Sequence, residues 1–187
     1  ASSYQVGAWA GLGLCAIGLF ALLDRRARLW LPIWASAPLG LLLLQAAMGL
    51  ESAPRWIWEP ALIAMLPLWA GDTAGIFAGK AFGKHKLAPS ISPNKTWEGA
   101  IANFAASTLA GLAFAPPLGL SLGFGLAAGA WCGVVGQIGD LLESRLKREA
   151  GVKDSGELLP GHGGLLDRLD SFLLASPAVI AALVLLR

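Results

Sequence analysis

The sequence predicts an all-α, polytopic integral membrane protein of about six transmembrane helices, with a polar site gathered at the cytoplasmic side. Three observations carry that fold class. Hydrophobic residues make up 56% of the 187 positions and charged residues only 14%, whereas soluble domains average about a quarter charged. Apolar runs recur at the length a bilayer requires, about 20 residues. Most of the basic residues cluster at one end of those runs. A soluble helical protein of this size has too small a core to hide so many consecutive apolar side chains.

The expected spans cover residues 6–23, 29–50, 56–71, 97–115, 118–139 and 171–186. The third is short and carries Glu59 near its start. It has an alternative end, through the polar stretch DTAGIFAG at 72–79, read as a protein-facing helix terminus. Small residues crowd the spans, as in GAWAGLGLCAIG and GFGLAAGAWCGVVG. They suit lipid, where close van der Waals packing replaces the hydrophobic drive between helices. Cys15 and Cys132 both sit inside apolar runs, without partners at metal-ligand spacing, and read as small buried hydrophobes. No repeat stands out and no linker separates two domains. The chain opens at Ala with polar ASSYQ, which reads as a remnant of processing or of how the chain was cut.

Charge sets the orientation. Arg25, Arg26 and Arg28 follow the first span, and Lys80, Lys84, Lys86 and Lys95 follow the third. Arg145, Lys147, Arg148, Lys153 and Arg168 follow the fifth. Twelve of the fourteen Lys and Arg thus lie on one side, with Arg55 and Arg187 on the other. Six spans placed this way obey the positive-inside rule with both termini outside.

Three polar blocks face the basic side. GDTAGIFAGKAFGKHKLAPSISPNKTWEG runs over 71–99, GQIGDLLESRLKRE over 136–149, and KDSGELLPGHGGLLDRLDS over 153–171. Helical spacing puts Asp140, Ser144 and Lys147 on one face of the second block, with Glu143 and Arg148 beside them. In the third block Asp167 and Asp170 stand at i and i+3 where the last span begins. A charge at a membrane helix end is costly unless paired, hydrated or metal-bound. Carboxylates arriving from two helix ends, amid several cations, suggest a divalent ion and a polyphosphate held together. Hard oxygen ligands suit magnesium, which often enters such sites with phosphates. GHGG at 161–164 leaves the backbone free to turn tightly and aim N–H groups at an anion.

Plainer roles stand beside these. The first-loop arginines set topology and touch anionic lipid, and His85 reads as an exposed loop residue. Asp72 is either a helix cap or part of the site. His162 either stabilises its loop or takes part in chemistry.

The segment SRLKREAGVKDSGELLPGHGGLLDRLD, at 144–170, closely resembles the signature of the phosphatidate cytidylyltransferases, also called CDP-diacylglycerol synthases. SPNKTWEG and GDLLES resemble that family too, so the likeness covers 68–172. GHGG or a lone Gly-Asp would mean little. This many fixed spacings together are specific.

The resemblance implies transfer of a cytidylyl group from CTP to phosphatidic acid, releasing pyrophosphate. It implies Asp140 and Asp167 as ligands of Mg2+, one ion or two, with Asp170 as a further ligand or a partner for Arg168. It leaves assistance by a monovalent cation open. It implies phosphate contacts from Lys147, Arg148, Lys153 and His162, with Ser144, Gly163, Gly164 and Arg168 in the substrate-binding set. Ser92, Asn94, Lys95 and Thr96 would help hold nucleotide or lipid phosphate. The expected organisation is one transmembrane domain over 1–187: variable N-terminal spans at 1–68, a catalytic core at 69–172 and the last span at 171–187. The expected setting is the plasma (inner) membrane, with the site facing the cytoplasm, a homodimer, membrane lipid as partner and no nucleic acid. Family members commonly carry more spans ahead of this region, leaving a compact member or a chain lacking N-terminal spans as alternatives.

Three other functions compete with this one. A CDP-archaeol synthase would run the same chemistry on an ether-lipid phosphate, but GHGG followed by DRLD looks more like the bacterial-type enzyme. CDP-alcohol phosphotransferases carry an Asp-rich signature that this sequence lacks. A small transporter would place ionisable residues near the centres of several spans, and here they gather at one side.

Overall fold

The computed structural model describes residues 55–149, 151 and 166–185, with side chains described over 61–149, at 151 and over 171–183. The expected spans 6–23 and 29–50, and the positions Lys153, His162, Gly163 and Gly164, lie outside the described residues.

Four helices dominate: α1 (Arg55–Phe82), α2 (Trp97–Phe114), α3 (Leu122–Glu149) and α4 (Leu166–Leu185). Between α1 and α2 lies a short antiparallel hairpin, β1 (Lys86–Ala88) with β2 (Ser92–Thr96). The architecture is therefore mostly helical rather than all-α. The hairpin reverses the chain so that α2 can run back along α1. Its register pairs Lys86 with Thr96 and Ala88 with Ser92, and a bond from the Trp97 amide to the His85 carbonyl (2.9 Å) continues it into the helix.

α1 runs past Gly71 to Phe82, taking the longer of its two expected ends. Gly71, Gly75 and Gly79 recur every four residues and form one stripe on the helix. A side chain at Gly71 would collide with Ser107 and Asn103, one at Gly75 would sit 3.2 Å from the Gly99 carbonyl oxygen, and one at Gly79 would meet Thr96. The two backbones approach this closely because the stripe is bare, as small residues allow between membrane helices. The polar character of 72–79 is thus compatible with a long helix, because protein rather than lipid covers the small face.

α2 starts where Thr96 caps it: the residue is extended (φ −126°, ψ 155°) and its Oγ1 accepts from the Gly99 amide at 3.2 Å. Its end passes through a 3-10 turn at Pro116–Leu118 and a left-handed Gly119 (φ 74°), which costs glycine little. α3 returns antiparallel, with Gly111, Gly125 and Gly129 forming a second bare contact. One bond and one close approach to α4 give the next pairing: Trp131 Nε1 donates to the Ala175 carbonyl (3.1 Å), and a side chain at Gly136 would touch Ser171 Cβ at 3.5 Å.

The core is built from Ile63, Ala64 and Leu68 of α1, Ala128 and Cys132 of α3, and Phe172, Ala175 and Val179 of α4. Cys132 behaves as the expected buried small hydrophobe. Among the described residues two helices, Ala61–Phe82 and Leu122–Glu149, are long and apolar enough to cross a membrane. Phe77, Phe82, Ile101, Leu109 and Leu122 point large apolar side chains outward. Such a surface is unfavourable in water and comfortable in lipid.

Candidate functional site

At the end of the bundle where α1 and α3 carry their charges, a cleft of about 890 Å³ opens between α1, the hairpin, α2 and α3. Lys80, Lys86, Lys95 and Lys147 line it together with Asp72, Asp140 and Glu143. Each arrives by a distinct local cause. Lys95 is on β2, one residue before the Thr96 cap, so helix initiation and the ammonium position are coupled. Asp140, Glu143 and Lys147 lie on one face of α3 through its 3.6-residue period.

The tightest polar contact crosses from the hairpin to α3. Lys95 Nζ lies 2.5 Å from Asp140 Oδ2, with the two side chains 23% and 36% exposed. Ser144, one turn beyond, donates its hydroxyl to Asp140 Oδ1 at 3.4 Å. Lys147 Nζ lies 3.4 Å from Glu143 Oε2, and the Glu143 carboxylate is nearly covered. Half-buried pairs of this kind feel a lower effective dielectric than surface ones, so their charges stay ordered.

Several sequence-predicted residues are therefore brought together. Asn94, Lys95, Thr96, Asp140 and Lys147 line one cleft, and Ser144 braces Asp140 from behind. Thr96 also spends its hydroxyl oxygen on the α2 cap. Ser92 and Arg148 are not among the residues lining the cleft. Asp167, Arg168 and Asp170 belong to the first turns of α4. The α3–α4 pairing runs antiparallel from Trp131 opposite Ala175 to Gly136 opposite Ser171. Continued one turn, that register puts positions 140 and 167 at one level of the helix pair.

The carboxylate of Asp140, with the Ser144 hydroxyl on it, is an oxygen donor of the kind that would suit a hard cation. Asp140 already holds a positive charge at bonding distance in the form of the Lys95 ammonium. Among the described residues no three Asp, Glu, His or Cys side chains converge, so Asp140 would share such an ion with ligands from elsewhere, position 167 and substrate oxygens first.

Some cleft residues escaped the sequence reading. Asn103 and Gln137 sit within expected spans, where a polar side chain is itself a signal. Asn103 Nδ2 donates to Asp72 Oδ1 (3.1 Å), while Gln137 Nε2 donates to the carbonyls of Ala100 (3.2 Å) and Gly133 (2.5 Å). Lys80 and Lys86 were read only as topology charges. His85 is exposed, as expected, but its Nδ1 lies 2.7 Å from Glu98 Oε1, tying the hairpin to α2.

Comparison with known proteins matches the sequence to a group. The sequence model of a family described as "Cytidylyltransferase family" matches residues 3–186. A protein of Pseudomonas aeruginosa named phosphatidate cytidylyltransferase is 46% identical over 161 residues, 83% of this chain and 59% of that one. Proteins of the same name from Brucella suis and Staphylococcus aureus (strain COL) are 50% identical over 110 residues and 45% over 125. These alignments cover 58% and 66% of this chain, and 41% and 48% of the relatives. The chain thus spans about half the length of the curated relatives it matches.

Proposed function

The chain belongs to the cytidylyltransferase family, and on that premise we propose that it transfers the cytidylyl group of CTP to phosphatidic acid, forming CDP-diacylglycerol and pyrophosphate. One observation carries the reading: a carboxylate held against an ammonium, Asp140 on Lys95, in a lysine-lined cleft of a helical bundle. Such a cleft takes phosphates and a cation together.

In the reaction a phosphate oxygen of phosphatidic acid bonds to the α-phosphorus of CTP, and the bond from that phosphorus to the oxygen it shares with the β-phosphorus breaks, so that oxygen leaves as a terminal oxygen of pyrophosphate. The attacking group is already an anion, so no base is needed to activate it. The barrier is the approach of two anions, and positioning with charge neutralisation lowers it. Lys95, Lys147, Lys80 and Lys86 supply positive charge along the cleft. Lys95 and Lys147 are each oriented by a carboxylate, which reduces the freedom lost when a phosphate arrives. Magnesium bound by Asp140 and Asp167 would neutralise the triphosphate. Ser144 keeps the Asp140 carboxylate turned toward the cleft.

The setting proposed is a six-span protein of the inner membrane, with the cleft on the cytoplasmic side and two copies forming a dimer. The one-sided basic loops support the orientation, and the two membrane-length helices support the setting. The acyl chains stay in lipid while the headgroup reaches the cleft.

The test is direct. Purified protein in lipid nanodiscs, given CTP, phosphatidic acid and magnesium, should release pyrophosphate and form CDP-diacylglycerol. An unsaturated ether-lipid phosphate in place of phosphatidic acid should be the poorer substrate. No CTP-dependent product from either lipid would overturn the reading.

A further inference from the structure

The α1 wall of the cleft carries groups that phosphate chemistry does not use. Trp69, Asp72 and Ile76 follow one another at spacings of three and four on α1 and all line the cleft. Asp72 stands eight residues before Lys80, about 12 Å of helix rise away from the lysine level. Its Oδ1 accepts from Asn103 Nδ2 at 3.1 Å, so the carboxylate is aimed by α2. Gln137 lines the same cleft. Its amide nitrogen donates to two backbone carbonyls, which leaves its carbonyl oxygen as the group it can offer a ligand.

Both groups accept hydrogen bonds and neither donates. A phosphate at neutral pH and an acyl ester bring acceptors, so neither complements them. A nucleoside brings what is missing: an N–H donor on the base and a flat face for the Trp69 indole. The distance from the lysines to Asp72 suits a nucleotide lying lengthwise, with its phosphates at the mouth. An ionisable side chain within a helix of membrane-spanning length also marks a functional position more often than a structural one.

We propose that Trp69, Asp72 and Gln137 form the nucleoside subsite, in which Asp72 accepts a hydrogen bond from the 4-amino group of cytosine while the base stacks on Trp69. This rests on the cytidylyl-transfer reading and adds the residues that select the base. Uracil presents a carbonyl oxygen at that position and would face the carboxylate oxygen to oxygen, so the same group that holds cytosine rejects uracil.

The experiment measures competition by CTP, UTP and pyrophosphate against labelled CTP on the full chain in nanodiscs, with magnesium present. Wild type should bind CTP well ahead of UTP. Asp72→Asn, nearly the same shape, should lose about tenfold to a hundredfold in that preference, as expected for a lost bond to a charged group, with pyrophosphate binding unchanged. Trp69→Leu should weaken CTP and UTP together and spare pyrophosphate. An unchanged CTP-to-UTP preference in Asp72→Asn overturns the subsite, as does an equal loss of CTP and pyrophosphate. Absence of CTP binding by wild type overturns the cytidylyl-transfer reading instead.

Discussion

Lys95 on the hairpin and Asp140 on α3 meet at 2.5 Å across the mouth of the cleft. The pair joins the two sequence blocks that the family resemblance marks as separate motifs. It also places a cation on the carboxylate expected to hold a metal. A triphosphate with its magnesium offers each partner a replacement of the same sign, so the pair can open without leaving a charge uncompensated, which would be costly in a half-buried site.

Asp140→Asn should abolish turnover while the fold survives. Losing one preorganised electrostatic group typically costs about a hundredfold to a thousandfold in kcat, and on the proposed reading the loss would include a metal ligand. The measurement is product formation beside thermal unfolding in the same detergent. Near-normal rates would remove Asp140 from the metal site.

Lys95→Met should raise the KM for CTP by about tenfold or more, the scale of a charge-assisted contact. Lys95→Arg keeps the charge and should recover part of the loss. Steady-state kinetics at varied CTP decide it: a change confined to unfolding temperature, with KM intact, would make Lys95 structural.

Chelation should stop the reaction, and added magnesium should restore it. Calcium, larger and less strict in geometry, should restore it poorly. The readout is pyrophosphate release before and after metal replacement. Full activity after exhaustive chelation would exclude a dissociable magnesium ion.

Gly129→Val should destabilise the bundle by about 1–3 kcal/mol, the usual cost of overpacking. A Cβ there would stand 2.5 Å from the Ser107 carbonyl oxygen and 2.9 Å from Thr108 Cα, with backbone rather than a movable side chain in the way. Gly123, with nothing within 4 Å of such an atom, is the control, and Gly123→Ala should be neutral or stabilising. Equal unfolding temperatures for the two variants would contradict the α2–α3 packing.

Thr96→Ala should cost about 0.5–2 kcal/mol through loss of the α2 cap, and Thr96→Ser should restore most of it. Because the cap adjoins Lys95, CTP affinity should fall with it. Calorimetry and CTP titration on one preparation test both effects.

Much of the fold and part of the site were legible along the chain. Hydropathy, helical spacing and the motif spanning 144–170 are local properties, so they marked spans at 97–115 and 118–139, where the helices run 97–114 and 122–149, and put Asp140 and Lys147 on one face. What stayed hidden was which face turns to which neighbour. The stripe of Gly71, Gly75 and Gly79 looks like a helix end until α2 lies on it. Asn103 looks like a flaw in a span until it bonds Asp72. The hairpin, too short to show a period, looks like loop. The sequence by itself determined the helices, their small-residue faces and the charged end. Only the tertiary structure decided that Lys95 would reach Asp140, because that contact depends on how closely two glycine-lined backbones approach, and no local pattern encodes such a distance.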